Sequence, residues 1–168
     1  LGVSETRSSI RNNRLTGSGG SSIVVNLLNC TDCIVESNHV LVDSSTVAFE
    51  ASGTSTRNTF TNNHITPTAA TSYTAFNIAA DGNTVTGNRA NLTGAGNVTL
   101  TVSGADNLVT GNALRGSAGN SILAVSAARN SIVGNFLKGT LTGTKIDVTA
   151  GDNNVINGNT LAGDVPGI

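Results

Sequence analysis

Four side chains that carry or can take up positive charge, Arg14, His39, His64 and Arg89, follow one another at intervals of 25 residues. A chain returning to the same place once per interval would stack them in one outward row, with a spacing of about 5 Å if the passes were hydrogen-bonded strands. Such a row suits an acidic sugar polymer, whose charges repeat at a similar interval. A solvated basic face, or partial cover by a loop, is the competing reading. The two histidines alone make no zinc site, which needs further ligands. A second constellation is the lone C-x-x-C of Cys30 and Cys33. A thioredoxin-like site would place it at a helix start within a βαβ unit, and a structural zinc site would need a second pair. Both contexts are absent, which favours small buried thiols over a strained disulfide.

The row exists only if something makes the chain return, and the sequence contains that device. Seven segments superpose without a gap, among them Asn58 to Ile65 (NTFTNNHI), Asn107 to Leu114 (NLVTGNAL) and Asn154 to Leu161 (NVINGNTL). Their shared asparagines are Asn13, Asn38, Asn63, Asn88, Asn112, Asn135 and Asn159, spaced 23 to 25 residues apart. Three residues before each stands an aliphatic residue or Phe60, and two after it stands Leu15, Val40, Ile65, Ala90, Leu114, Leu137 or Leu161. Both columns are expected to point inward. Just before the asparagine come Asn12, Ser37, Asn62 and then four glycines, types that tolerate positive φ and so mark a sharp bend.

The other half of each repeat alternates as a strand does. Leu1 and Val3, Phe76 and Ile78, Leu100 and Val102, and Leu123 and Val125 stand twelve and ten residues before the asparagine. Ile146 and Val148 fit after one extra turn residue; Val47 and Phe49, the worst fit, need about two. Between these core positions the outward column reads Gly2, Asn77, Thr101, Ala124 and Asp147, with a single acid. No helical spacing recurs. Short strands at such a period bury their apolar side only by stacking turn on turn, which predicts an all-β parallel solenoid of about seven coils. Identical asparagines one coil apart are then expected to form an amide ladder.

Composition agrees. The 168 residues, with 20 Gly, no Met, no Trp and 3% aromatics, lack the bulky side chains of a layered core, yet 38% are hydrophobic, too many for plain disorder. The chain reads as one domain over 1–168, processed or excised from something longer. A net charge of -1 offers no case for nucleic acid, and no stretch approaches the apolar run needed for membrane insertion.

The pattern N-x-[VIF]-x-x-N-x-[LIV], best kept in Asn107-Leu108-Val109-Thr110-Gly111-Asn112-Ala113-Leu114, resembles the right-handed parallel β-helix family. That family includes pectate lyases, alginate epimerases, polygalacturonase-like hydrolases and phage tailspike or appendage proteins. The resemblance spans essentially the whole chain. It implies a single-stranded right-handed parallel β-helix, an extracellular or virion-surface location, polysaccharide as partner and, for a phage spike, a homotrimer. Leu27, Tyr73 and Phe136 are the exposed apolar residues expected at such an interface or under loops.

Two kinds of family chemistry are then open. Calcium-dependent lyases need clustered outward carboxylates with a nearby Arg or Lys. That cluster is missing, so calcium is expected only by resemblance, and no cofactor is read from the residues. Hydrolases of the family divide acid and attacking roles between carboxylates on neighbouring coils. The best pair here is Asp81 and Asp106, with Arg57 or Arg89 assisting. Against it, Arg7, Asp32, Arg57, Asp106 and Arg129 share one column and largely alternate in sign, as a structural charge ladder does. Thr59, Thr61, Thr84 and Thr86 form two T-x-T pairs, which also resemble an ice-binding array. The leading expectation is a rigid segment presenting a surface to polysaccharide. A polysaccharide lyase or glycoside hydrolase is the alternative, and ice binding a distant third.

Overall fold

The computed structural model describes residues 1–18, 22–42, 47–67, 74–91, 99–116, 122–139 and 145–163. Within them the chain winds as a parallel β-solenoid of three sheets, each with seven strands. One coil illustrates the plan: Thr74–Ile78 lies in the first sheet, Thr84–Thr86 in the second and Arg89–Asn91 in the third. Each strand pairs in parallel with its counterparts one coil before and after, as Val85 does with Phe60 and Val109. No helix occurs among the described residues.

The inward columns are those the repeat marks. Val35, Phe60, Val85, Val109 and Ile132 are fully buried from the second sheet, and Val40, Ile65, Leu114 and Leu137 from the third. Among the described residues, three phenylalanines supply the aromatic bulk of this core: Phe49 stacks on Phe76 at 5.3 Å, and Phe60 meets Phe76 edge-on at 6.3 Å. With side chains this small, stability comes from long rows of modest contacts. The last coil differs. Ile156 and Leu161, expected inside, are 43% and 52% exposed because only one neighbouring coil covers them among the described residues.

Two expectations need correction. Phe49 and Ala51, not Val47 and Phe49, occupy the core columns of the third coil: Phe49 pairs with Phe76, Ala51 with Ile78, and Val47 with Thr74. The turn after this strand is longer, so the register shifts by one inward position. Leu27 is 1% exposed and belongs to the core beside Ala51, so it offers nothing to an interface. Tyr73 lies outside the described residues.

The asparagine ladder is continuous. Nδ2 of Asn13, Asn38, Asn63, Asn88, Asn112 and Asn135 each donates to Oδ1 of the next at 2.9 to 3.0 Å. The backbone N–H of each donates to the same oxygen, so one carbonyl closes the bend above it twice. A second ladder runs down the preceding corner from Cys33 through Asn58, Asn83, Asn107 and Asn130 to Asn154, joined by backbone N–H donation to each Oδ1. Its weak point is Asn107, whose buried Nδ2 has no partner among the described residues.

Both corners use left-handed backbone. Asn12, Ser37, Asn62, Gly87, Gly111, Gly134 and Gly158 all have φ between 54° and 66°. The charged column does the same: Arg7, Asp32, Arg57, Asp106 and Arg129 stand at φ 54° to 60°. Residues with a Cβ rarely accept this region. The sign-alternating column therefore coincides with a bend that every coil must make.

Candidate functional site: the outer face of the third sheet

The third sheet carries Arg14, His39, His64 and Arg89 in direct register on consecutive strands. Their Cα positions alternate with inward Leu15, Val40, Ile65 and Ala90, so the pleat turns all four outward. Arg14, His64 and Arg89 are exposed and His39 is half-buried. The two imidazoles stack with ring centroids 5.0 Å apart and planes 10° from parallel. Thr66 Oγ1 lies 3.1 Å from His39 Nε2 and 3.5 Å from His64 Nε2, tying the pair to the next outward column.

Burial, helped by the charges of His39 and Arg89, pushes the His64 imidazole below its ordinary pKa. Its unfolded counterpart therefore takes up a proton first as pH falls, and the folded state loses stability on acidification from the unfolded pKa of about 6.5 downwards. His64→Gln is expected to flatten the fall in urea midpoint between pH 7 and pH 5. An unchanged slope would place that sensitivity elsewhere.

The neighbouring outward column, not singled out by the repeat, reads Thr16, Leu41, Thr66, Asn91, Arg115, Lys138 and Ala162. It lies three residues after each ladder asparagine, so the same alignment contains it. Arg115 and Lys138 are exposed register partners. The third-sheet strands thus hold four of the chain's nine Lys and Arg and both histidines, and no Asp or Glu. Among the described residues none of these four cations meets a carboxylate.

The remaining charges behave differently. Arg57 clamps Asp32 through Nε and a terminal nitrogen at 2.7 and 3.0 Å, and Arg129 clamps Asp106 at 2.7 Å through both. Arg11 reaches Glu36 at 3.3 Å. These are exposed corner pairs of the kind that stabilise little. The hydrogen bond from Arg129 holds the Asp106 carboxyl below the usual range. A general acid needs the opposite shift. Asp81 is exposed and accepts a hydrogen bond from the Ala105 N–H at 2.7 Å, which places it beside Asp106 on the adjoining coil.

Other candidate chemistry is accounted for by packing. Cys30 and Cys33 are buried free thiols, donating to the carbonyls of Val3 at 2.8 Å and Glu5 at 3.3 Å. Burial raises the Cys30 pKa, which opposes thiolate reactivity. On the first sheet the outward column also contains Asn26 and Glu50, so it holds two acids rather than one. Asn77, Thr101 and Ala124 separate Glu50 from Asp147, and among the described residues no three His, Cys, Asp or Glu side chains gather. Thr59 and Thr61 do stack on Thr84 and Thr86, but the row passes to Ile34 on one side and Leu108 on the other.

No protein-family profile, no curated protein and no solved structure matches this chain.

Proposed function

We propose that this β-solenoid presents the outer face of its third sheet to a polysaccharide, as a rigid segment of an extracellular or phage tailspike or appendage protein. The observation that carries the reading is the unbroken row Arg14, His39, His64, Arg89 on four consecutive coils of a sheet whose strands contain no Asp or Glu. Elsewhere Arg57, Arg11 and Arg129 are held by Asp32, Glu36 and Asp106. A stiff stack of coils keeps such a row straight, and an extended polymer can follow it without the entropy loss of ordering a loop. The tailspike context and trimeric state rest on the resemblance of the N-x-[VIF]-x-x-N-x-[LIV] pattern, and sedimentation of the purified chain tests the trimer.

The test is retention of the chain on a panel of immobilised polysaccharides, followed by the double variant Arg14→Gln/Arg89→Gln. Both side chains are exposed, so folding is expected to persist while affinity falls at least tenfold. Full retention by the double variant would remove the Arg14 to Arg89 row from consideration. Product release from any panel member, lost in Asp81→Asn, would make the chain an enzyme.

A further inference from the structure

Lower on the same face, four residues form a two-by-two patch on adjacent strands: Ala113 pairs with Phe136, and Arg115 with Lys138. All four alternate with buried Leu114, Gly116, Leu137 and Gly139, so they share the outward side. Phe136 is 41% exposed, an unusual place for one of only four phenylalanines when Phe49, Phe60 and Phe76 are fully buried. Its register neighbours above and below are Ala113 and Thr160, whose small side chains leave room on either side of the ring. Two strand positions away on the same chain stands Lys138, and one coil above that stands Arg115.

We propose that Ala113, Arg115, Phe136 and Lys138 form a subsite for one acidic pyranose unit, Phe136 packing against the C–H face of the ring and Arg115 and Lys138 taking its carboxylate or sulfate. This rests on the polysaccharide reading and narrows it to an acidic polymer. An aromatic ring offers apolar area at little entropic cost, which suits the flat C–H face of a sugar. Arg115 presents the planar fork that matches a carboxylate, and Lys138 adds a second donor group one strand spacing of about 4.8 Å away. Arg89 lies one coil above Ala113 in the first column, so the subsite continues the Arg14 to Arg89 row without a gap. A chain of sugars laid along the sheet would meet the row of cations first and the aromatic subsite last, spanning six coils or about 24 Å between Arg14 and Phe136.

The experiment compares uronate oligosaccharides of two and six units, neutral gluco-oligosaccharides of the same lengths, and inorganic polyphosphate by calorimetry. The proteins are the wild type, Arg115→Gln/Lys138→Gln, Phe136→Ala and Arg14→Gln/Arg89→Gln. Expected are preference for the uronate hexamer over the dimer and over neutral sugars, and at least a tenfold loss in Arg115→Gln/Lys138→Gln. Phe136→Ala should weaken uronate binding similarly while leaving polyphosphate binding within twofold. Uronate binding lost only in Arg14→Gln/Arg89→Gln would overturn the subsite and leave the polysaccharide reading standing, as would preference for neutral sugars. A Phe136→Ala variant that changes sedimentation and not sugar affinity would make the ring an interface residue and overturn the proposal. Failure of the wild type to bind any sugar would overturn both.

Discussion

Asn112→Leu is expected to lower the melting temperature by roughly 2–12 °C, although the two side chains share the same branched skeleton. The amide of Asn112 makes four hydrogen bonds to the neighbouring coils. Its Oδ1 accepts from the backbone N–H and Nδ2 of Asn88, at 2.9 and 3.0 Å, and its Nδ2 donates to the carbonyl of Val85 at 2.9 Å and to Asn135 Oδ1 at 2.9 Å. Leucine removes all of these. Asn135 Oδ1 keeps the backbone N–H of residue 112, and Asn88 Nδ2 keeps Phe60 O and Thr86 O. The Val85 carbonyl keeps the N–H of Thr110, its partner in the parallel ladder. The Asn88 N–H has no substitute and lies where water does not reach, and one stranded buried group costs about 1–3 kcal/mol. That is a substantial part of a total stability of about 5–15 kcal/mol. Asn159→Leu is the control, because Asn159 is only half-buried and its neighbours can turn to solvent. Equal shifts for the two variants in a thermal melt would show that the ladder is not what holds the middle coils.

The ladder was legible in the sequence because its residues do one job in every coil, so identity repeats with period. The columns beside it were legible for the same reason, down to Ser37 adopting the left-handed bend that Asn12, Asn62 and four glycines share. The first sheet was less so. Its strands precede the bend by a turn whose length changes from coil to coil, and in the third coil that change hid the inward role of Ala51. A hydrophobic pattern fixes which face is inside only once the register is known. The candidate site was half legible. Arg14, His39, His64 and Arg89 announce themselves by equal spacing, whereas Arg115 and Lys138 form a column of mixed types, visible only when all positions of the repeat are sorted by side of the sheet. Arg57 and Arg129 were separable from these cations in the sequence, because they share a column with Asp32 and Asp106, and each indeed has that carboxylate 2.7 Å away, one coil up.

Gly104→Ala is expected to be among the most damaging single-methyl changes at the described residues, costing about 3 kcal/mol or more and lowering the yield of folded protein. The reason is space rather than backbone angle. Gly104 sits at the corner between the first and second sheets, tucked against the coil before it, and a Cβ there would stand 2.1 Å from the carbonyl oxygen of Ala80, 2.4 Å from its carbonyl carbon and 3.0 Å from its nitrogen. Those are main-chain atoms of a neighbouring coil. They can retreat only if the coils part, and parting would break the hydrogen bonds of Ser103 and Gly104 N–H to the Ile78 carbonyl at 2.9 and 3.1 Å. Gly134 supplies the contrast. It has φ +66° and a methyl group there would meet nothing within 4 Å, so Gly134→Ala incurs only the left-handed penalty of about 1–2 kcal/mol. Its column holds Asn12, Ser37 and Asn62 at the same angle, so Gly134→Asn should cost less still. Urea melts of the three variants are expected to rank Gly104→Ala far below Gly134→Ala, with Gly134→Asn nearest wild type. The reverse order would mean that the corners, and not the contact between coils, set the limit on what this solenoid tolerates.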